Sequence, residues 1–219
     1  KINKKSNPFL GPKFDQNEIF KEVKNCEKEN DDFKIKIFKD KIEQSEYLVK
    51  NYLIKNKIIA IFQGGCEWGP RALGNRSIIA DPRNLEIRDI INSKIKLREQ
   101  FRPFAQTILK EELTEWFETN RDFKFMSEVI QNKKKKSKLV PAIVHVDGTC
   151  RLQTLDKDYN NLYYLILKNF FKVTNVPILL NTSFNINEPI VLSPKDALNT
   201  FKKSDIDCLS FENYAIMRN

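Results

Sequence analysis

The chain has 219 residues, 41% hydrophobic and 11% aromatic, with 16 Phe; that is enough apolar material for a packed core in one large domain and excludes wholesale disorder. Lys and Arg (38) outnumber Asp and Glu (29) for a formal charge of +9, and apolar runs reach only about five residues, far short of the roughly 20 that a membrane-spanning helix needs. The cysteines (Cys26, Cys66, Cys150, Cys208) are widely spaced and His145 is the lone histidine, which excludes a disulfide scaffold, HExxH chemistry and zinc sites built on several histidines, and points to a reducing cytoplasm.

Residues 1–14 (KINKKSNPFLGPKF) read as a linker, and a first residue of Lys1 rather than Met leads us to expect a missing amino-terminal domain before it. Apolar spacing predicts a surface helix over Asp15–Glu29, with Ile19, Phe20 and Val23 inward. FKIKIF (33–38) alternates as a strand. Lys41–Lys55 repeats at helical spacing, and Ile58–Phe62 reads as a buried strand. A loop holding Gly64, Gly65, Gly69 and Gly74 follows. Ser77–Ala80 suits a short strand and Leu85–Ile95 a helix. The Pro-containing stretch FRPFAQTIL leads to an amphipathic helix near Glu111–Glu118. Phe125–Gln131 is expected as a strand, KKKKSK (133–138) as a hairpin tip, and Leu139–Leu155 as two strands about an Asp147-Gly148 turn. A helix over Leu162–Val173, a buried strand over Val176–Leu180, a helix from Pro194 capped by Ser193 and a strand near Asn213–Met217 complete the chain. Strands and helices mix without regular alternation, which indicates an α/β (α+β) sheet with helices on its faces.

Arginine is unevenly distributed. The chain uses 29 Lys but nine Arg, and six of the nine (Arg71, Arg76, Arg83, Arg88, Arg98, Arg102) lie between Arg71 and Arg102. A chain that defaults to Lys keeps Arg where a planar fork must grip carboxylate or phosphate at two points. Ion pairs with Glu86, Asp89 or Glu99 account for Arg88 and Arg98 on a helix. Arg71, set between Gly69-Pro70 and Gly74, suits an anionic ligand.

The loop GGCEWGPRALGNRS follows a buried strand, and its glycines let backbone N–H groups approach an anion. Gly69 and Gly74 have the GxxxxG spacing of a phosphate loop. Asn75 and Arg76 stand where Lys and Ser or Thr are required, and no GxGxxG occurs, so both nucleotide fingerprints are rejected. Asn181-Thr182-Ser183 closes the strand VPILL, where a ligand position and a local turn fit equally. Arg151, beyond the Asp-Gly turn of HVDGTCRLQT, is the one arginine between residues 122 and 217. His145 and Asp147 read as a core histidine and a turn residue, and Cys66 has no histidine near it in sequence to activate it.

Four motifs in order (FQGGCEWGPRALGNRSIIADPRN, INSKIKLREQFRPFAQTIL, PAIVHVDGTCRLQT and VPILLNTSFNINEPIVLSPKDAL) together resemble the carboxy-terminal domain of the O-carbamoyltransferases, which decorate nodulation factors, cephamycins and aminoglycosides. The resemblance covers roughly residues 45–216. It implies that 15–219 form a YrdC-like domain, a twisted mixed sheet with flanking helices, that binds carbamoyl phosphate and ATP, with Mg2+ accompanying the nucleotide. Carbamoyl phosphate is split, the carbamate attacks the α-phosphate of ATP, and carbamoyl-adenylate and pyrophosphate form. The adenylate then passes to an amino-terminal actin-like domain, expected in the same full-length protein, which carbamoylates a hydroxyl acceptor. By the same resemblance Arg71, Arg102 and Arg151 are catalytic, Lys96 (on the nucleotide side), Asn181 and Ser183 bind substrate, and the domain itself supplies no metal site.

There are departures. FQGG stands where FQGR is common, so Gly65 lacks a side chain. NINEPIV is shorter than the form with a glycine before Glu188, and Phe123–Met126 replaces a Ser-Pro segment. Two other readings compete: a basic RNA-binding module, against which the Lys excess is scattered and the Arg cluster loop-bound, and a non-catalytic docking domain, against which the motif residues are all present.

Overall fold

The structure, a computed structural model, describes residues 7–29 and 32–218. Its strands are β1 (Phe33–Ile37), β2 (Ile59–Phe62), β3 (Arg76–Ala80), β4 (Ala105–Leu109), β5 (Val129–Gln131), β6 (Thr149–Leu155), β7 (Ile178–Ser183), β8 (Cys208–Phe211) and β9 (Tyr214–Arg218). Its helices are α1 (Gln16–Glu29), α2 (Lys41–Asn51), α3 (Glu86–Ile90), α4 (Leu113–Trp116), α5 (Lys134–Ser137), α6 (Asn161–Thr174) and α7 (Pro194–Lys203).

Local chemistry explains the long helices. In α1, Ile19, Val23 and Cys26 recur at helical spacing and are buried, whereas Phe20 turns outward, against expectation. The Asp40 carboxylate caps α2 by accepting from the N–H groups of Ile42 and Glu43. The Asn160 side chain caps α6, which ends at Asn175 in the left-handed conformation. In α7, Pro194 follows a reciprocal capping box between Ser193 and Asp196, which satisfies two otherwise orphaned N–H groups.

The strands form one mixed sheet in the order β1-β9-β8-β2-β3-β7-β4-β6-β5. Only β2/β8 and β4/β6 pair in parallel; the other neighbours are antiparallel. Those directions bring the carboxyl ends of β2, β7 and β8 to the same sheet edge as the amino ends of β3, β4, β6 and β9. The glycine loop, the FRPF stretch, the start of the HVDGT strand and NTSFN therefore all emerge together, although more than 100 residues separate the first from the last.

Several elements differ from the sequence expectations. Leu85–Ile95 is not one helix: α3 ends at Ile90 and a π-helical turn, Ile91–Ile95, follows. Leu139–Leu155 supplies only one strand, because Pro141–Ile143 forms a 3-10 turn. The strand expected from Phe125 shrinks to Val129–Gln131, as Met126 takes a positive φ of 52° that no strand accommodates. KKKKSK is a short helix, with Lys136 over the Trp116 ring. β4 and β8 are additions. Of the linker, residues 1–6 lie outside the described residues. Pro8 and Gly11–Pro12 hydrogen-bond along the Cys66–Trp68 backbone (Gly11 N to Cys66 O, Cys66 N to Pro12 O, Trp68 N to Pro8 O). A side chain at Gly65 would stand 2.7 Å from the Phe9 carbonyl, so the glycine in FQGG leaves room for this strap.

Candidate functional site

The loop between β2 and β3 is held by two buried charged residues. Glu67 Oε1 accepts the N–H groups of Leu73 (2.8 Å), Asn75 (2.7 Å) and Arg76 (3.0 Å). The Arg76 guanidinium, fully buried and 3.7 Å over the Phe62 ring, donates to the carbonyls of Gln63, Gly64 and Asn75. Burial pulls its pKa down. Arg76 thus belongs to the loop's frame, despite standing within the arginine-rich stretch. Gln63, Asn75 and Asn160 link their amides behind the loop. Gly74 is required where it stands: its φ is +114°, and a Cβ would meet Tyr163 Cδ1 at 2.5 Å.

Beneath the loop, three adjacent strands present one polar row. Asn181 Nδ2 (β7) donates to Thr107 Oγ1 (β4) and Gln153 Oε1 (β6), and Thr107 Oγ1 donates to Gln153 Oε1 at 2.8 Å. The row reaches up to the loop: Asn181 Nδ2 contacts the Ala72 carbonyl and Gln153 Nε2 the Leu73 carbonyl. Asn181 Oδ1 is buried without a partner among the described residues, a costly state for a polar atom unless a ligand supplies a donor. Two residues nearer the edge than Thr107, Ala105 is paired with Asn181, and the β4/β6 register carried one residue beyond Gln106–Leu152 sets Arg151 beside Ala105. Asn181 and Arg151 then share a face about 10 Å apart, with only a methyl group between them.

Arg71, exposed on the loop, bears on Arg151: burial lowers the Arg151 pKa, and the Arg71 charge lowers it further. Neither guanidinium pairs with a carboxylate among the described residues. Arg102 lies on the exposed stretch before β4 and pairs with Glu99 at 2.9 Å with both side chains about half exposed, a pairing worth little in water.

Lys96, buried, follows the π-helical turn. Its ammonium donates to Ser183 O (2.5 Å), Asn185 O (2.9 Å) and Asn185 Oδ1 (2.6 Å), with Ser183 Oγ at 3.3 Å. Three donors are matched to protein oxygens, so in this structure Lys96 braces the strand end rather than reaching outward. Burial, then the Arg98 charge, pulls its pKa down to about 7. Ser183 is half-buried and donates to Asn185 Oδ1. Asn181 and Ser183 sit two residues apart on one face, roughly 7 Å along the strand, and so join the Arg71/Arg151 and Lys96 groups.

All six residues singled out in the sequence therefore surround one sheet edge. Glu67, Thr107, Gln153 and Asn92 were not singled out. The detectable signal for Thr107 and Gln153 was a Gln-Thr pair inside each apolar strand, AQTIL and RLQTL. His145 makes a local relay, its Nδ1 3.0 Å from Thr149 Oγ1, which itself donates to Asp147 Oδ1. Among the described residues no group of three or more His, Cys, Asp or Glu forms a metal site.

The fold is a YrdC-like mixed sheet. It superposes on the crystal structure of full-length HypF in its phosphate- and nucleotide-bound form with a TM-score of 0.53, at 17% identity, over 85% of this chain and 22% of that one. The chain belongs to the family described as carbamoyltransferase C-terminus, which matches residues 50–218. It is 48% identical over 165 residues to nodulation protein NolNO of Sinorhizobium fredii, covering 74% of this chain and 24% of that protein. It is 49% identical over 156 residues to nodulation protein NolO of Bradyrhizobium diazoefficiens, covering 69% and 28%. The chain thus spans about a quarter of the length of these relatives. No helix among the described residues is long and apolar enough to cross a membrane.

Proposed function

We propose that this domain binds carbamoyl phosphate and ATP and joins them as carbamoyl-adenylate, for transfer to a hydroxyl acceptor by an actin-like domain of the full-length protein. The observation that carries this reading is the uncompensated Arg71/Arg151 pair across from the unpartnered Asn181 Oδ1. Two adjacent guanidiniums without carboxylates suit a phosphate, gripped through planar forks. A buried amide oxygen lacking a donor suits the N–H of a carbamoyl group.

The chemistry follows from charge. Water cleaves carbamoyl phosphate: its oxygen bonds to phosphorus, the bond from phosphorus to the carbamoyl oxygen breaks, carbamate leaves with the electron pair, and the water protons pass to phosphate and solvent. A carbamate oxygen forms a bond to the α-phosphorus of ATP, the bond from that phosphorus to the bridging oxygen breaks, and pyrophosphate leaves with the electron pair. Two polyanions must meet, so cations that tighten as charge moves onto the leaving oxygens lower the barrier, each donor by about 3–4 kcal/mol. Arg71 and Arg151 hold the phosphate side. Arg102 exchanges its weak surface partner Glu99 for the nucleotide. Ser183 and Asn181 orient the carbamoyl group, and the Lys96 charge lies under them. Mg2+ would enter on the triphosphate, taking its oxygens from nucleotide and water, a donor set that suits it.

The test is isotope exchange between labelled pyrophosphate and ATP in the full-length protein. Exchange that depends on carbamoyl phosphate and disappears in R71A is expected. Exchange that persists in R71A, or does not need carbamoyl phosphate, defeats the reading.

A further inference from the structure

Residues 97–103, the stretch that carries Arg102, contain no buried position. Leu97 and Phe101 are 61% and 80% exposed, and Leu97 has a positive φ of 46°. Such a segment has no apolar anchor and samples many conformations unless something ties it down. The tie is Asn92, wholly buried in the π-helical turn. Its Nδ2 donates to the carbonyls of Gln100 (3.1 Å) and Arg102 (2.9 Å), and its Oδ1 accepts from Arg98 Nε (2.8 Å). Its own carbonyl accepts from Arg98 N at 2.9 Å. One side chain thus spends both donors and its acceptor on three points of a single loop.

The π-helical turn sets up this arrangement. Its wide i to i+5 bond, Lys96 N to Ile91 O at 2.8 Å, inserts an extra residue, a departure that recurs at functional sites. Asn92 goes to the Arg98–Arg102 loop, and Lys96 to the Ser183–Asn185 strand end. We infer that Asn92 is a positioning residue: it touches no substrate, and it holds the Arg102 backbone so that the guanidinium meets the nucleotide at the sheet edge. The inference rests on the proposed adenylation for its catalytic consequence. A shift of about 1 Å in such a group costs on the order of 100-fold in rate.

The test is a double-mutant cycle in the full-length protein with N92S, R102A and both together. N92S keeps a small neutral polar group and loses the two-carbonyl grip; N92D, which sets a carboxylate against the same two carbonyls, serves if N92S does not fold. A fall of about 100-fold in kcat/KM for pyrophosphate exchange is expected for N92S. The double variant should be no slower than R102A, whereas it should melt as low as N92S, because R102A keeps the backbone carbonyl that Asn92 grips and loses only a surface ion pair. Equal rate losses in the Arg102 and R102A backgrounds, or wild-type kinetics in a folded N92S, overturn the inference. Backbone hydrogen exchange over 97–103 reads the tether without reference to the reaction. It should quicken in N92S and hold in R102A, and unchanged protection in N92S also overturns the inference. Faster exchange in N92S while the wild type lacks pyrophosphate exchange leaves the tether standing and removes the adenylation reading instead.

Discussion

Arg71 and Arg151 are 80 positions apart in the chain, yet the Arg71 charge presses on the Arg151 guanidinium and holds its pKa below the ordinary arginine value, after burial has already lowered it. Folding gains nothing from bringing two like charges together; the arrangement persists because the surrounding structure fixes both ends. Asn181 and Gln153 hold the loop carbonyls beside Arg71, and Arg151 is two residues before Gln153 on the same strand face.

Replacing Arg151 should therefore separate function from stability. R151A is expected to lower carbamoyl phosphate-dependent pyrophosphate exchange by about 100- to 1,000-fold. Its melting temperature should match or exceed that of the wild type, because one repulsion disappears. Exchange kinetics and thermal melting on one preparation check both halves.

Lys96 should give the protein a distinctive pH dependence. Its folded-state pKa is about 7 against an ordinary value of 10.5. Below about pH 7 both states hold the proton and the cost of burying the charge is full. Between the two values the unfolded chain binds the proton and the folded one does not, so stability rises with pH, by at most ~1.4 kcal/mol per pH unit. Above that window the gain is complete. Denaturant unfolding from pH 6 to 10 should show a wild-type stability that climbs relative to K96M.

Gly74 has no substitute. Alanine there combines a disfavoured φ with a 2.5 Å approach to the Tyr163 ring, and G74A should lose about 2–4 kcal/mol. Denaturant unfolding measures the loss; a G69A control, with open space around its Cβ, should lose less.

Glu67 shapes the loop through charge-assisted bonds to three N–H groups. E67Q keeps the size and an acceptor oxygen for the three N–H groups, loses the charge and sets an amide NH2 where Oε2 has no partner among the described residues; it should cost about 1–3 kcal/mol and weaken carbamoyl phosphate binding as the loop that carries Arg71 loosens. Calorimetric titration with carbamoyl phosphate beside a thermal melt tests the pair of effects.

Much of the secondary structure was legible locally. The periods of α1 and α6, the cap and proline of α7, and the unbroken apolar run of β2 each depend on residues within a few positions of one another. The strands β4 and β8 were not. AQTIL carries Gln106 and Thr107 in the middle, and such a segment becomes a buried strand only when neighbours pair with its polar groups: Gln153 accepts from Thr107, Asn181 donates to it, and Asn132 accepts from Gln106. The π-helical turn was equally hidden, since its spacing differs from α-helix by a single inserted residue.

The sequence by itself determined the family, through four ordered motifs, and the resemblance those motifs carry named the six candidate side chains; uneven arginine use pointed independently only to Arg71 and Arg151. Tertiary structure alone decided that Arg76 frames the loop while Arg71 faces outward, that Lys96 braces a strand end, and that Asn92 and Glu67 serve the site. Those roles rest on which buried donor meets which acceptor across the sheet, and strand order, a long-range property, sets that pairing.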